Sequence, residues 1–509
     1  MTAADEESRL CLVKIEHLTD RRLRVSGPTL RLGDRTSVCQ APPNPVHLDG
    51  PSSPGDSGDR RLCEGGWAHR RILAEGCFSE ERHMSATQIE QQKSARQLLG
   101  EREQRITDAI ELRVPDRVPV QLFLMYFPAK YTGITCDAAY YDAEKWQWAN
   151  RKTILDFAPD SYWVQSAAVS GLALETLGAQ QIRWPGYGLP PNRGHQMIEL
   201  EPMKGDEYDA FLADPSDFIV RTYLPRVWSA MAPLSGLPSL RTLIGGTALA
   251  SFAGQLASPE LAAALDSLRE AGVAAASFRS ATGSFADEMA KLGFPSYNSP
   301  MMFAAAPFDT ISDNLRGMQG TMTDMYRRPE KLLQALEMLA TDRIEVIRRT
   351  PAPAVDPGNK RVFIALHRGS DGFMSLPQFE TFYWPTLKKV ILALVEMGWT
   401  PCPFFEGTWD SRLEYLLDLP KGQVLCHFAQ TDMARAKAVL GGQLCIMRDV
   451  PASLLQAGTV REVEEYCQKA IDLCGKGGGF IMTSTCTDEA RPENLEAMVD
   501  FTKSYGRYA

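Results

Sequence analysis

The chain lacks any run of 18 or more apolar residues, so nothing in it reads as a membrane-spanning helix. It also lacks a charged-then-apolar stretch at Met1, and its 11 cysteines show neither CxxC pairs nor the close spacing of a disulfide-stapled domain. The thiols are therefore expected to be reduced and the location cytoplasmic. Positive charge is short as well: 54 Lys and Arg against 63 Asp and Glu leave a net charge of −9. A nucleic-acid partner, which needs a concentrated basic face, is not expected. No G-x-G-x-x-G loop follows any apolar run, which removes the main support for a nucleotide-binding open sheet. What remains is 509 residues, 44% hydrophobic and 23% charged, the composition of an ordinary globular protein.

Residues 1–83 differ from everything that follows. The stretch PPNPVHLDGPSSPGDSGDRR is rich in Pro, Gly, Ser and Asp without apolar periodicity, so a disordered extension is expected there. It holds four of the seven histidines (His17, His47, His69, His83) and four cysteines (Cys11, Cys39, Cys63, Cys77), at spacings that match no zinc finger or ribbon. Met84 is the expected true start, with a genuine tail as the alternative. Ser85 is placed to cap a long polar helix that ends before Pro115.

The C-terminal half repeats one unit: a short apolar run, a polar residue at its end, then a helical stretch. RVFIAL leads to His367, Arg368 and Asp371; CPFF to Glu406 and Asp410; QVLCHF contains His427 and leads to Asp432; QLCIM leads to Arg448 and Asp449; GFIMTS leads to Cys486. Strands this short and unalternating are expected where both faces are covered, and five consecutive βα units imply a parallel sheet. Residues 84–509 are thus expected to form one α/β domain, a (β/α)8 TIM barrel whose post-strand residues face one mouth. Cys402, Cys426, Cys445, Cys467 and Cys474 lie in apolar runs or on a helix and read as core residues.

Three stretches carry a family resemblance. GTVREVEEYCQKAIDLCGKGGGFIMTSTCTDEARPENLEAM, KRVFIALHRGSDGFMSLPQFETFYWP, and ILDFAPDSYWV followed by ETLGAQ resemble the uroporphyrinogen decarboxylase superfamily, which includes the haem-pathway decarboxylase and cobalamin-linked methyltransferases. The resemblance implies the barrel fold and an enzyme. In the decarboxylase branch, Asp160 matches the catalytic aspartate, no cofactor is needed, and the substrate is a tetrapyrrole carboxylate held by an arginine-rich opening. This chain reads LFLMYFPAKYTG at that opening, leaving Lys130, with Tyr131 beside it, as substrate contacts.

The methyltransferase branch binds zinc through a His-x-Cys pair and a cysteine of the last loop. Cys486 matches that cysteine, whereas Phe404 and Glu406 stand in place of the pair. Zinc accepts carboxylate oxygen, so Glu406, His427 and Cys486 are the expected metal ligands, with Asp160, Glu406 and His427 the expected catalytic residues. His367, Arg368, Asp371 and Asp410 join Lys130 and Tyr131 as expected substrate contacts. The first expectation is a metal-assisted methyltransferase moving a methyl group between a corrinoid, carried by a partner protein, and a thiol or other small acceptor. The alternatives are decarboxylation of a tetrapyrrole and a ligand-binding barrel without catalysis. A homodimer is compatible with all three.

Overall fold

The protein is described from a computed structural model, in which residues 93–163, 169–353, 360–485 and 487–508 are described. The expected extension 1–83, the proposed start at Met84 and the Ser85 cap lie outside them. The first described helix, Ala95–Ile110, is capped by Ser94, whose side chain accepts from the Gln97 N–H while the Gln97 side chain accepts from the Ser94 N–H. This S-x-x-Q capping box satisfies two otherwise orphaned donors.

Among the described residues ten strands follow: β1 (Gln121–Phe123), β2 (Ser161–Trp163), β3 (Ile182–Pro185), β4 (Gly188–Leu189), β5 (Gln196–Met197), β6 (Arg361–Leu366), β7 (Thr400–Phe405), β8 (Leu425–Phe428), β9 (Cys445–Asp449) and β10 (Phe480–Thr483). Strands β6 to β10 lie side by side in chain order and are all parallel, as expected from the five repeated units. Strand β1 pairs with β2, also in parallel. The remaining gaps are closed by isolated hydrogen bonds. Met482 N–H donates to Pro119 O at 2.9 Å and joins β10 to the start of β1. On the other side the extended segment 296–299 bridges β2 and β6: Tyr297 N–H donates to Tyr162 O at 2.9 Å, and Ser299 N–H donates to Arg361 O at 2.8 Å. The ring β1, β2, segment 296–299 and β6 to β10 therefore has eight members and leaves no exposed edge, the arrangement of a (β/α)8 barrel. The small strands β3–β5 form a separate sheet in the long excursion between β2 and segment 296–299.

Alternation along the strands divides the core into two layers. Val362, Ile364 and Leu366 of β6 point outward and pack with Leu387, Val390, Ile391 and Leu394 of the helix Trp384–Glu396. Phe123, Tyr297, Cys402, Leu425, Cys445, Met447 and Ile481 point inward and fill the barrel together with Ile106, Ala109 and Ile110 of the first helix. That helix plugs the N-terminal end of the barrel. Its Glu103 pairs with buried Arg361, the first residue of β6, and its Arg105 pairs with Asp160, which directly precedes β2. Cys402, Cys426, Cys445, Cys467 and Cys474 are buried free thiols, as expected of core cysteines.

Candidate active site

At the C-terminal end of β6 the chain turns away over a buried carboxylate. Asp309, in the short helix Pro307–Ile311, accepts from the backbone N–H of His367 at 2.9 Å and of Arg368 at 3.1 Å, and from the Tyr383 hydroxyl at 2.8 Å. Only 3% of Asp309 is exposed, and burial pushes its carboxyl up to about 7 even though His367 nearby pulls it down. The two backbone bonds fix where the next side chains emerge.

His367 then lies between two carboxylates. Its Nδ1 is 2.6 Å from Asp313 Oδ2, and its Nε2 is 3.7 Å from Oε1 of Glu406, which follows β7. The bond with Asp313 is the largest of the influences that push the imidazole up to about 9, so the ring is an imidazolium at neutral pH. Glu406 is half-exposed at the rim, and partial removal from water raises its carboxyl above the usual range while the imidazolium opposes the rise. Arg368 is held by Asp313 at 3.1 Å and by Ser312 at 3.0 Å, with its guanidinium over the Phe373 ring.

Deeper in the barrel, His427 of β8 is fully buried. Its Nε2 is 2.9 Å from Asp449 Oδ1 at the end of β9, and the Thr485 hydroxyl donates to Asp449 Oδ2 at 2.7 Å. Nδ1 has no hydrogen-bond partner, and the Phe404 and Phe123 rings cover the imidazole at 4.3 and 5.3 Å between centroids.

The structure thus brings His367, Arg368 and Glu406 together and gives His427 a separate partner in Asp449. Cys486 lies outside the described residues, so of the expected ligand set Glu406, His427 and Cys486 only Glu406 and His427 are placed. Among the described residues no three His, Cys, Asp or Glu side chains are placed to share a metal ion. Glu406 faces His367, and the one described nitrogen of His427 with a partner is taken by Asp449.

Asp160 calls for a correction. It precedes β2 and so lies at the end of the barrel opposite the mouth. Its two oxygens accept from Arg105 Nη1 (2.7 Å), Arg117 Nη1 (2.6 Å), Arg117 Nη2 (2.8 Å) and the Val120 N–H (2.8 Å). Despite complete burial, these cations hold its carboxyl far below the usual range. An aspartate so enclosed and saturated is a structural ion-pair centre, closed to substrate. Residues 164–168, which follow β2 in the chain, lie outside the described residues.

The other expected substrate contacts are engaged within the protein. Lys130 pairs with Glu489. The Tyr131 hydroxyl donates to Asp156 at 2.8 Å. Asp371 accepts from Arg412 and from the Ser411 hydroxyl. Asp410 accepts from the Asp432 N–H at 2.9 Å. Asp309, Asp313 and Tyr383 are site residues that the sequence reading did not name, and Asp449 was named at a strand end without a role. The first two follow a barrel segment of only four residues, too short to register as an apolar run, while Asp449 was visible at a strand end.

The family model of uroporphyrinogen decarboxylase (URO-D) matches residues 299–505. No curated protein matches the chain. Among solved structures, a methyltransferase from Methanosarcina mazei is similar at 15% identity and a TM-score of 0.49, over 79% of this chain and 98% of that one. The matched span contains every member of the His367 cluster and the His427–Asp449 pair, so the part of the chain that resembles the uroporphyrinogen decarboxylase family is the part that builds this site.

Proposed function

We propose that the chain is a methyltransferase-like enzyme that works at the barrel mouth on a small neutral or cationic acceptor, with Glu406 taking the proton released by that acceptor. The observation that supports this reading is the charge at the mouth. Asp313, Asp371, Glu406 and Glu489 stand there against His367, Arg368, Arg412 and Lys130, and each of these cations already has a carboxylate partner. A tetrapyrrole with several carboxylates needs spare guanidinium groups to replace its hydration, and the cations named are already committed to carboxylates of the protein. That weighs against the decarboxylase alternative.

Proton acceptance suits the geometry. An acceptor thiol must lose its proton as it becomes a nucleophile, and a base is most effective with a pKa raised toward the working pH. Glu406 is accessible, and burial has raised it. The His367 imidazolium beside it stabilises the negative charge that develops on the acceptor, and Asp309 and Asp313 hold that imidazole and its backbone in place. A corrinoid delivered by a partner protein would supply the methyl group and leave in its demethylated form. The test is direct: the purified chain is incubated with methylcobalamin and a small thiol, and separately with uroporphyrinogen. Thioether formation above the protein-free rate is expected. Coproporphyrinogen formation without thioether would overturn the reading.

A further inference from the structure

On the side of the mouth built by β1 and β10, directly opposite β7 in the ring, a second polar cluster stands apart from His367 and Glu406. Tyr126 follows β1 and Asp488 follows β10, and the Tyr126 N–H donates to Asp488 Oδ1 at 2.8 Å. His195 arrives from the excursion, just before β5. Its Nδ1 lies 2.8 Å from the Tyr126 hydroxyl, which in turn lies 3.0 Å from the Tyr140 hydroxyl, and both tyrosines are buried. Gly194 allows this close approach, since a Cβ there would stand 3.2 Å from the Tyr126 ring and 3.3 Å from Asp488 Oδ2.

Counting protons fixes the direction of the chain. If Tyr140 donates to Tyr126 and Tyr126 donates to Nδ1, both hydroxyl protons are used; the reverse leaves the Tyr140 proton without an acceptor among the described residues. Burial holds the imidazole below its ordinary value, against the pull of Asp488, so the ring is neutral at pH 7 and its one proton sits on Nε2. Among the described residues neither Nε2 nor Asp488 Oδ2 has a hydrogen-bond partner, and neither atom is enclosed, both residues being half-buried. The mouth therefore presents one open donor and one open acceptor next to Gly194. A hydroxyl or a primary carboxamide satisfies both, whereas a carboxylate would face Asp488. The methyl-transfer reading, on which this inference rests, supplies a molecule with such groups: a corrinoid carries primary carboxamides around its rim, and a broad macrocycle lying on the mouth turns part of that rim toward the wall opposite Glu406. We propose that His195 Nε2 and Asp488 Oδ2 hold a peripheral carboxamide of the corrinoid, with Tyr126 and Tyr140 as positioning residues that fix the His195 tautomer.

The test measures binding to the full chain, by calorimetry and corrinoid absorbance, for two corrinoids that differ at the rim. Dicyanocobinamide keeps the primary carboxamides; heptamethyl dicyanocobyrinate has methyl esters, which accept a hydrogen bond but cannot donate one. The amide should bind about tenfold more tightly than the ester, and Asp488→Ala should bring that ratio close to one. His195→Ala should weaken both corrinoids by about three- to tenfold, and His195→Gln, which retains an N–H near the Nε2 position, should restore binding. Nitrogen-15 spectra of the histidine-labelled chain should show the Nε2–H tautomer, and a mixture of tautomers in Tyr126→Phe; circular dichroism checks that each variant folds. Absence of saturable cobinamide binding, equal affinity of the wild type for the two corrinoids, or a ratio that survives in Asp488→Ala would each overturn the assignment. Amide-selective binding without thiol methylation would overturn the methyl-transfer reading and support the carboxamide site, whereas methylation without amide selectivity would overturn the site alone.

Discussion

Replacing Asp160 by Asn keeps the shape of the side chain and removes the charge on which the N-terminal end of the barrel is organised. Two guanidinium groups, on Arg105 and Arg117, converge on this carboxylate, which is fully buried. An amide offers one acceptor where the carboxylate offered two, and it places an N–H against a cation. Breaking a buried ion pair from one side costs about 3–5 kcal/mol, because the partner charge stays behind in a poor solvent. Unfolding entropy of about 2.1 cal/mol/K per residue over roughly 400 ordered residues gives about 0.85 kcal/mol/K, so the melting temperature should fall by about 4–6 °C. The sign with pH follows from the same geometry. A carboxyl held below its unfolded value stabilises the fold above about pH 4 and loses that contribution as pH falls further, so the gap between wild type and Asp160→Asn should narrow in acid. Calorimetry from pH 7 down to pH 3.5 measures both effects. A fall of less than about 1 °C at pH 7, or normal stability with abolished activity, would refute the structural role given to Asp160.

Further outcomes are expected at the mouth and at the first helix. His367 is raised to about 9, so whatever stability its imidazolium adds is complete below about pH 6.5 and disappears as pH rises through about 9; because the ring is partly exposed the loss should be modest, and it should be absent in His367→Gln. Thermal scans from pH 7 to 10 compare the two. Ser94→Ala removes the cap of Ala95–Ile110 and should cost about 0.5–2 kcal/mol in denaturant titrations, without altering ligand binding at the mouth. Uroporphyrinogen should yield no coproporphyrinogen above background, measured by fluorescence after oxidation.

The strands β6 to β10 were legible in the sequence because each is a compact apolar run closed by a polar residue and followed by a helical period. The first three ring members were not, since β1 and β2 have three residues each and segment 296–299 is joined only through isolated bonds. Asp160 was singled out by the family resemblance alone, which did not show that it stands at the start of β2, away from the mouth. Positions after β6 and β7 were read at the correct rim, but their partners were not, because Asp309 and Asp313 arrive from a helix more than fifty residues away in the chain. His427 was visible as a polar residue in an apolar run. Its pairing with Asp449, rather than with Glu406, depends on the inward turn of β8 and β9 next to each other, which residue types alone do not specify.

The most direct test of the proposed chemistry is the rate of thiol methylation from methylcobalamin, compared between wild type and Glu406→Gln at pH 7. Removal of a positioned base typically lowers such a rate by about 10²- to 10⁴-fold, and a loss of that size with an unchanged melting temperature is the expected result. Equal rates in the two proteins would contradict the assignment of Glu406 as the proton acceptor.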